Sequence, residues 1–278
     1  MKLLGSHKIT FGDLWAVRAG RISNEPSQPK PIPLVEHINT LPIAQFIERY
    51  LPLASRQIQI PSPAKSSQPF SDAAQNCNHT VGGITLEFDI HSAESIPASD
   101  FQACFDFIEL TSSRHYTNSS VGWSPSKKMK EMRLPDMRYI LLRKAREQRD
   151  GVSDKATANT TIHKQGILGF LSFMVTYENG KEVAYCYEVH LSVAVQGRGL
   201  GSQLIRLLEE IAQKIGLGKI MLTVFKSNKT ALQFYEKLGF AVDEHSPQPR
   251  KLRNGAVKET DYLILSKKVD VNDFSIEQ

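Results

Sequence analysis

The 278-residue sequence has little cysteine and no long hydrophobic run. Its three cysteines, Cys77, Cys104 and Cys186, are odd in number and lack the spacing of metal ligands, so we expect a reducing compartment and no metal site. No stretch approaches the roughly eighteen apolar residues that a membrane-spanning helix needs, so no membrane partner is expected.

Charge is close to balanced. The chain carries 34 Lys and Arg against 29 Asp and Glu, a net charge of +5. This excess is spread along the sequence without a cluster of basic and aromatic residues, so we expect no direct nucleic-acid site. Hydrophobic residues make up 41% of the chain, which is enough to bury the core of one large domain or two small ones.

A glycine-rich segment, Gln196–Gly201, lies between a β-rich stretch, Val183–Val195, and an amphipathic helix. The first backbone N–H groups of a helix are unpaired and lie at the positive end of its dipole, so they bind phosphate groups. Glycines allow the backbone to approach such an anion closely. The apolar positions that predict the helix are Leu200, Leu204, Leu207, Leu208, Ile211 and Ile215.

Two familiar phosphate-binding loops do not fit this segment. A P-loop places Lys before its Ser or Thr, whereas Gly201 precedes Ser202 here. A dinucleotide-binding loop needs a different glycine spacing and an acid at the end of the next strand, which Lys219–Phe225 lacks. Gln196, Gly199 and Gly201 instead resemble the pyrophosphate loop of the GNAT N-acetyltransferases, which bind acetyl-CoA.

A second motif strengthens the resemblance. The apolar strand Lys219–Phe225 is followed by Asn228 and by a helix that ends in Phe-Tyr-Glu-Lys-Leu-Gly-Phe at residues 234–240. In the GNAT family this Asn lies beside the pantetheine arm and this Tyr near the CoA sulfur, and Asn228 is also a candidate helix N-cap. The resemblance implies that acetyl-CoA contacts Leu191, Val193, Gln196, Gly197, Arg198, Gly199, Leu200, Gly201, Asn228 and Tyr235.

The motif Tyr-Cys-Tyr-Glu at residues 185–188 narrows the resemblance. With Tyr116 and Trp123 upstream, it resembles the NatD type of N-terminal acetyltransferase over residues 98–145 and 166–268. The resemblance implies acetyl transfer from acetyl-CoA to the α-amine of the N-terminal Ser of histones H4 and H2-A, which begin Ser-Gly-Arg-Gly. It also implies a monomer in the nucleus and cytoplasm whose partners are these histone tails.

Two other functions stay open at this point. One is a related enzyme that acetylates Lys side chains or small amines, and the other is a non-catalytic module that binds CoA or histones. A binding module has no need of a carboxylate such as Glu188 beside its cofactor loop, which favours an enzyme.

Glu188 is the candidate general base, and Tyr185 and Tyr187 are the other candidate catalytic residues. An α-amine titrates near pH ~7.7–8.0, so a modest base suffices. The aromatic neighbours of Glu188 predict that desolvation raises the pKa of its carboxyl group.

Strand alternation places Tyr185 and Tyr187 on one face and Glu188 on the other. A β-bulge near residues 187–191 would bring all three to one cleft. In the GNAT family the strand is splayed or bulged at this place, which implies a freed backbone N–H around Leu191–Val193 that polarises the thioester carbonyl.

The resemblance to NatD implies a slot for the first residues of the substrate, with flat aromatic walls that suit a small extended backbone. Val121 and Thr176 depart from the animal pattern, which usually has a Trp and an acid at these positions. The Arg of the substrate needs a carboxylate, for which Glu178 is our first choice and the pair Asp243–Glu244 our second. The slot residues are Tyr116, Trp123, Tyr185, Tyr187, Thr223 and Tyr262.

The predicted elements form a mixed sheet with helices on both faces, and the resemblance implies the GNAT fold, an α/β fold whose sheet is mostly antiparallel. We expect this domain to span residues 81–270. Residues 1–80 are predicted to be an N-terminal extension, basic at first, then Pro- and Ser-rich, and partly disordered. Its first 34 residues suit a tail, a chromatin-binding arm or an organellar signal.

Polar composition predicts disordered inserts at Pro61–Asn78 and near residues 146–165. The dipeptide Asn179-Gly180 predicts a β-hairpin between Ile167–Tyr177 and Glu182–Leu191.

A long helix, Asp100–Tyr116, is expected to begin at an N-cap of Ser99 or Asp100. The residues predicted to face inward are Phe101, Phe105, Ile108 and Leu110.

Overall fold

The structure, a computed structural model, describes residues 32–51, 53–61, 83–145, 166–251, 253–255 and 257–270. The first 31 residues and both predicted inserts, apart from Pro61, lie outside these ranges. Within the described residues, no helix combines the length and the apolar character that crossing a bilayer requires.

Six α-helices lie within the described residues, together with two short 3-10 helices, Leu53–Arg56 and Val193–Val195. The α-helices are α1 (Leu34–Thr40), α2 (Ile43–Tyr50), α3 (Ala98–Thr117), α4 (Pro125–Met132), α5 (Leu200–Ile215) and α6 (Lys229–Lys237). All six apolar positions that predicted α5 are buried, so its amphipathic pattern is confirmed.

Eight of the described strands form one sheet, in the order β1-β2-β3-β4-β5-β6-β10-β7. The strands are β1 (Gln57–Ile60), β2 (Ile84–Ser92), β3 (Arg138–Lys144), β4 (Gly169–Glu178), β5 (Lys181–Leu191), β6 (Lys219–Phe225), β7 (Ala241–Val242), β8 (Arg250–Lys251), β9 (Val257–Lys258) and β10 (Tyr262–Lys268). Strands β5 and β6 are parallel and every other neighbouring pair is antiparallel. The predicted mixed, mostly antiparallel sheet is therefore confirmed.

Helices cover both faces of this sheet, as predicted. Along β3, Ile140 and Leu142 join a core under α1, α2 and α5, whereas Tyr139 and Leu141 join a core under α3 and α4. Successive residues of a strand point to opposite faces, so the two cores lie on opposite sides of the sheet.

The described part of the predicted N-terminal extension belongs to the domain. Strand β1 pairs antiparallel with β2, and Ile38 of α1 and Phe46 of α2 are fully buried in the core under α5. The apolar residues of these short helices outweigh the Pro-rich composition around them. The domain boundary that we predicted at residue 81 therefore falls too late.

Helix α3 corrects two details of our prediction. It begins at Ala98, with Pro97 as N-cap, because the carboxylate of Asp100 is buried against Arg143 at 2.5 Å and does not cap the helix. Leu110 is 77% exposed rather than inward. Leu110 is nine positions after the buried Phe101. At 3.6 residues per turn, this spacing places the two side chains about 180° apart around the helix axis.

The predicted hairpin is present between β4 and β5. Asn179 and Gly180 form its two-residue turn with φ of 49° and 75°, as a primed turn requires. Glu178 and Lys181 are the last paired residues beside the turn. Strand β4 thus continues one residue beyond the predicted end at Tyr177 and includes Glu178.

Candidate active site

The parallel strands β5 and β6 separate at one end of the sheet. Ala184–Cys186 pair with Ile220–Leu222, and beyond these residues β5 runs on to Leu191 and β6 to Phe225 without pairing to each other. Helix α5 begins just after this open end of β5. The fold thus provides a cleft between two strands beside a helix N-terminus.

Strand β5 contains the predicted β-bulge, at Tyr187. Cys186 and Glu188 lie opposite adjacent residues of β4, so Tyr187 is the extra residue. The bulge resets the alternation of the strand. The Tyr185 and Tyr187 rings lie 5.3 Å apart, on the same face from which Glu188 reaches the side chains of α3 and α4.

A small pocket of about 30 Å³ lies on this face, where β5 and β6 separate. We call it the slot. One of its walls is fixed by a 2.5 Å hydrogen bond between the hydroxyl groups of Tyr185 and Thr223. The residues that line the slot are Tyr116, Glu131, Tyr185, Cys186, Tyr187, Thr223 and Phe225.

Two predicted slot residues lie outside this lining. Trp123 stacks on Phe105 at 6.1 Å and packs against the Tyr116 ring at 5.5 Å, so it supports the wall from behind. Tyr262 begins β10 and is the ladder partner of Phe225 on the next strand. Both residues therefore adjoin slot residues without lining the slot themselves.

A buried ammonium group lies at the centre of the site. Lys128 of α4, 5% exposed, donates to Tyr116 Oη at 2.7 Å and to Glu188 Oε1 at 2.9 Å, and its Nζ lies 3.0 Å from Glu131 Oε2. Burial alone would lower the pKa of Lys128, but Glu188, Glu131 and Tyr116 raise it well above its usual value. Lys128 is therefore a permanent cation beside the slot.

This cation overturns our prediction of a raised pKa for Glu188. Burial would raise the pKa of the carboxyl group, but Lys128 and His190 outweigh burial and lower it to about 2. The sequence suggested aromatic neighbours and gave no sign of the ammonium from α4. Glu188 is thus a fixed anion at neutral pH and a weak proton acceptor.

His190 extends the network away from the slot. Its Nε2 lies 2.7 Å from Glu188 Oε2, and its Nδ1 lies 2.7 Å from the hydroxyl of Thr111. Thr111 also donates to the Phe107 carbonyl at 2.7 Å, which anchors the imidazole to α3. The network thus connects β5 to both helices on this face.

Sequence reasoning missed Lys128, Glu131 and His190. A signal for His190 was available, because residues two apart on a strand face the same side and His190 follows Glu188 by two. Glu131 lies three residues after Lys128, the spacing of a helical ion pair. Nothing in the sequence distinguishes Lys128 from its exposed neighbours Lys127 and Lys130.

The low pKa of Glu188 predicts that acid weakens the fold. A carboxyl whose pKa falls from the usual value of 4.5 to about 2 on folding adds about 3 kcal/mol at neutral pH. This stability is complete above pH ~4.5 and is lost as the pH falls toward 2. Urea unfolding measures how far the free energy of unfolding falls between pH 7 and pH 3. This fall should be about 2 kcal/mol smaller in Glu188→Gln than in wild type. Equal drops in both proteins would show that Glu188 is not held as a stabilised anion.

Glu178 is the last residue of β4, and it lies on the same strand face as Thr176 and Met174. Burial and the neighbouring Asp243 raise the pKa of its carboxyl group, and His245 offsets part of the rise. Glu178 is also close enough to raise the pKa of the hydroxyl groups of Tyr185 and Tyr187. A half-buried carboxylate beside another acid is well placed to bind a cation.

The second-choice pair is occupied by partners within the chain. Asp243 is 3% exposed and accepts from Lys219 at 2.8 Å. Glu244 is exposed and lies 3.4 Å from Lys181. Of the candidate carboxylates, Glu178 is therefore the better placed for a substrate cation.

The loop before α5 fits a pyrophosphate. Gly197 and Gly199 have φ of 73° and 76°, and a Cβ on either would meet nothing within 4 Å. Gly199 is the N-cap of α5 and gives it no side-chain cap bond, so the first N–H groups of the helix are available to an anion. Arg198 and Leu200, also predicted to contact the cofactor, belong to this turn.

Gly201 has a packing role that the prediction missed. A Cβ at this position would lie 3.2 Å from Cζ of Phe234, so the absent side chain allows α5 to approach α6. We had assigned Gly201 to the close approach of the phosphate. The contact with Phe234 requires a small residue there whether or not an anion binds.

Asn228 caps α6, as one of the two roles predicted for it, and Tyr235 lies in the last turn of this helix. Asn228 is the N-cap of α6, and its Oδ1 accepts from the Ala231 N–H at 3.1 Å. The Tyr235 ring packs on Phe240 at 5.6 Å. Burial, with nearby Cys186 and Glu188, raises the pKa of Tyr235 well above its usual value, so the hydroxyl keeps its proton.

The end of β5 carries the remaining predicted cofactor residues. Gln196 Nε2 donates to the Leu191 carbonyl at 2.9 Å, which ties the loop to the strand, and Val193 is 79% exposed.

Among the described residues, no group of three His, Cys, Asp or Glu side chains could hold a metal ion.

Residues 127–240 match the sequence profile of the Acetyltransferase (GNAT) family. The chain is 36% identical over 103 residues to N-alpha-acetyltransferase 40 of Saccharomyces cerevisiae, covering 30% of this chain and 36% of that protein. It is 30% identical over 79 residues to the uncharacterized N-acetyltransferase YycN of Bacillus subtilis, covering 28% and 51%. The chain thus spans about half or less of the length of these relatives.

Two solved structures also align with this one at low TM-scores. One is a GNAT family acetyltransferase from Elizabethkingia anophelis with acetyl-CoA bound, with 17% identity and a TM-score of 0.40 over 66% of this chain and 97% of that one. The other is Arabidopsis thaliana NAA60 in complex with a bisubstrate analogue, with 11% identity and a TM-score of 0.42 over 66% and 99%. TM-scores this low add nothing to the assignment.

The assignment rests on the profile match and on the architecture it covers. The matched residues run from α4 through the bulged β5, the loop before α5 and the strand β6 to the end of α6. Together, this match and the mixed sheet with its separating parallel strands show the GNAT fold, and residues 127–240 are similar to the GNAT acetyltransferase family.

Proposed function

We propose that this protein transfers the acetyl group of acetyl-CoA to the α-amine of the N-terminal Ser of histones H4 and H2-A, whose tails begin Ser-Gly-Arg-Gly. The observation that carries the proposal is the narrow slot at the bulge of β5, with walls of Tyr116, Tyr185 and Tyr187. The partial identity to N-alpha-acetyltransferase 40 of Saccharomyces cerevisiae supports it.

The size of the slot favours a small first residue. An open volume of only about 30 Å³ between aromatic walls favours a small first residue such as Ser over a bulky side chain. The hydroxyl groups of Tyr185 and Thr223 lie on one wall and can bind an extended backbone. A lysine side chain or a large N-terminal residue would need the walls to move apart.

The charge around the slot favours an ammonium group. Glu188 and Glu131 face the ammonium of Lys128, so two carboxylates lie around one permanent cation. An α-ammonium loses its proton near pH ~7.7–8.0, whereas a Lys does so near ~10.4. The neutral amine needed for attack is therefore available at lower cost from an N-terminus.

When bound, acetyl-CoA supplies the acetyl group as an activated thioester. The N–H groups at the start of α5 and the turn at Gly197–Gly199 would hold its pyrophosphate. Asn228, three residues after β6, and Tyr235, which is near Cys186 and Glu188 of β5, would contact its arm. The protonated Tyr235 hydroxyl suits a donor to the leaving sulfur.

Glu178 is expected to bind the Arg at the third position of the substrate. Glu178→Ala should raise KM for a Ser-Gly-Arg-Gly peptide about tenfold or more and barely change KM for Ser-Gly-Ala-Gly, because a charged hydrogen bond contributes about 1.5–3 kcal/mol. Steady-state kinetics of both proteins on both peptides give the coupling energy as a double-mutant cycle. Half-buried Glu182→Ala on the neighbouring strand is the control, and a coupling near zero would rule out Glu178 as the Arg partner.

A peptide panel tests the proposal as a whole. Three Ser-Gly-Arg-Gly peptides are incubated with the protein and acetyl-CoA and examined by mass spectrometry. One has a free N-terminus, one has a blocked N-terminus and one internal Lys, and one has both amines blocked. Acetylation of the free N-terminus alone supports the proposal. Acetylation of the internal Lys favours the alternative of a side-chain or small-amine acetyltransferase, and binding without turnover favours a non-catalytic module.

The proposal includes where the enzyme acts and with what. It places the protein in the nucleus and cytoplasm, with histone tails as partners, and as a monomer. Light scattering of the purified protein tests the monomeric state, and microscopy of a tagged chain tests the location.

A further inference from the structure

Glu131 is a slot residue with a free carboxylate oxygen. It lies on α4, its side chain is 18% exposed and it is one of the residues that line the slot. Lys128 contacts Oε2 at 3.0 Å. No other described residue bonds to Glu131, so its Oε1 has no partner among the described residues.

Glu188 is less available, although it is the more obvious acid. Its Oε1 accepts from Lys128 at 2.9 Å and lies 3.5 Å from Tyr116 Oη, and its Oε2 meets His190 at 2.7 Å. Both oxygens are therefore engaged by the chain itself. A carboxylate with two such partners holds its neighbours in place, and taking up a proton would cost it those contacts.

The two acids also differ in their affinity for protons. Lys128 and His190 lower the pKa of Glu188 to about 2, whereas burial raises the pKa of Glu131 above its usual value despite the opposing effect of Lys128. A base acts best when its pKa approaches the working pH. By this measure too, Glu131 is the better acceptor.

We propose that Glu131 is the catalytic base, whose Oε1 accepts a proton from the substrate α-ammonium in the slot. The proton moves from nitrogen to oxygen, the amine keeps its electron pair for attack, and the carboxyl group later returns the proton to water. Lys128 is a positioning residue that fixes Glu131 and Glu188 on either side of itself. This inference rests on the proposed function, since it requires an amine in the slot.

The main test compares Glu131→Gln with wild type on Ser-Gly-Arg-Gly peptide from pH 6 to 9. At pH 6.5 we expect kcat/KM to fall about 10²-fold, because the variant depends on amine already neutral in water. Its rate should then rise about tenfold per pH unit up to pH ~8, so the deficit shrinks with pH. Glu109→Gln, an exposed acid on α3, is the matched control and should parallel wild type.

A second readout does not depend on turnover. Adding the peptide to the protein with coenzyme A should produce a protonated-carboxyl band in the infrared difference spectrum, and Glu131→Gln should lack it. If Glu131→Gln is poorly folded by thermal unfolding, Glu131→Asp, which keeps the charge, should restore the pH profile.

The outcomes separate this inference from the proposed function. If wild type acetylates the peptide N-terminus and Glu131→Gln matches its rate at every pH, Glu131 is not the base while the proposed function stands. If wild type acetylates Lys instead, the proposed function fails, and the same comparison on that amine decides the role of Glu131. A pH-independent loss with the carboxyl band retained would also overturn the inference.

Discussion

Replacing Lys128 by Met should lower the free energy of unfolding by about 3–5 kcal/mol, since it leaves Glu188 as an uncompensated buried charge. The pair is well shielded, with Lys128 5% and Glu188 10% exposed at their side chains. Met has nearly the length of the Lys stem, so packing on Tyr116 changes little. Denaturant unfolding at pH 7 measures the loss.

Two further variants isolate the charge. Lys130→Met, on the same helix but exposed, should change stability by less than about 0.5 kcal/mol. Glu188→Gln added to Lys128→Met should recover much of the loss, because the buried anion is then gone. A double variant as unstable as the sum of the two single variants would mean that Lys128 stabilises α4 without pairing to Glu188.

Turnover should fall in Lys128→Met even where the protein remains folded. The ammonium donates to Tyr116 Oη and so fixes one wall of the slot, and it also fixes Glu131 on another. Its loss frees both side chains at the place where the substrate amine is expected. The residual activity, measured below the unfolding temperature, should show a raised KM together with a lowered kcat.

Local patterns predicted most of the fold. The 3.6-residue spacing of α5, the Asn179-Gly180 turn and the apolar run of β6 each depend on neighbours in the sequence, and each is present as predicted. The bulge at Tyr187 was not determined by the sequence alone. Strand alternation showed only that Tyr185, Tyr187 and Glu188 share a cleft if the strand bulges, and the resemblance to the GNAT family implied a bulge there.

Tertiary partners explain what the sequence did not predict. The sign of the Glu188 pKa shift depends on Lys128, 60 residues earlier in the chain, and the need for Gly201 depends on Phe234. Leu110 differs, because its outward position was already implied by helical geometry and was overlooked. Predictions thus failed mainly where a charge or a contact arrives from another element.

The final prediction concerns the anion site at the start of α5. Ser202 is the third residue of this helix and is half-buried. Ser202→Glu should reduce affinity for acetyl-CoA about 10²-fold, because a carboxylate there repels the pyrophosphate and bonds back to the N–H groups it would use. Ser202 is a cleaner test position than Gly201, where an added Cβ would lie only 3.2 Å from Cζ of Phe234.

Ser202→Glu should not lower the stability of the fold. An acid in the first turn of a helix is favourable by about 0.3–1 kcal/mol, so Ser202→Glu should unfold at the same or a slightly higher temperature than wild type. Ser202→Gln has the same size without charge and should bind acetyl-CoA within a few-fold of wild type. Calorimetric titration at low and high salt measures both variants, and the deficit of Ser202→Glu should shrink as salt screens the repulsion. Equal affinity of the Glu and Gln variants would mean that the pyrophosphate binds elsewhere, and the turn at Gly197–Gly199 would then need another explanation.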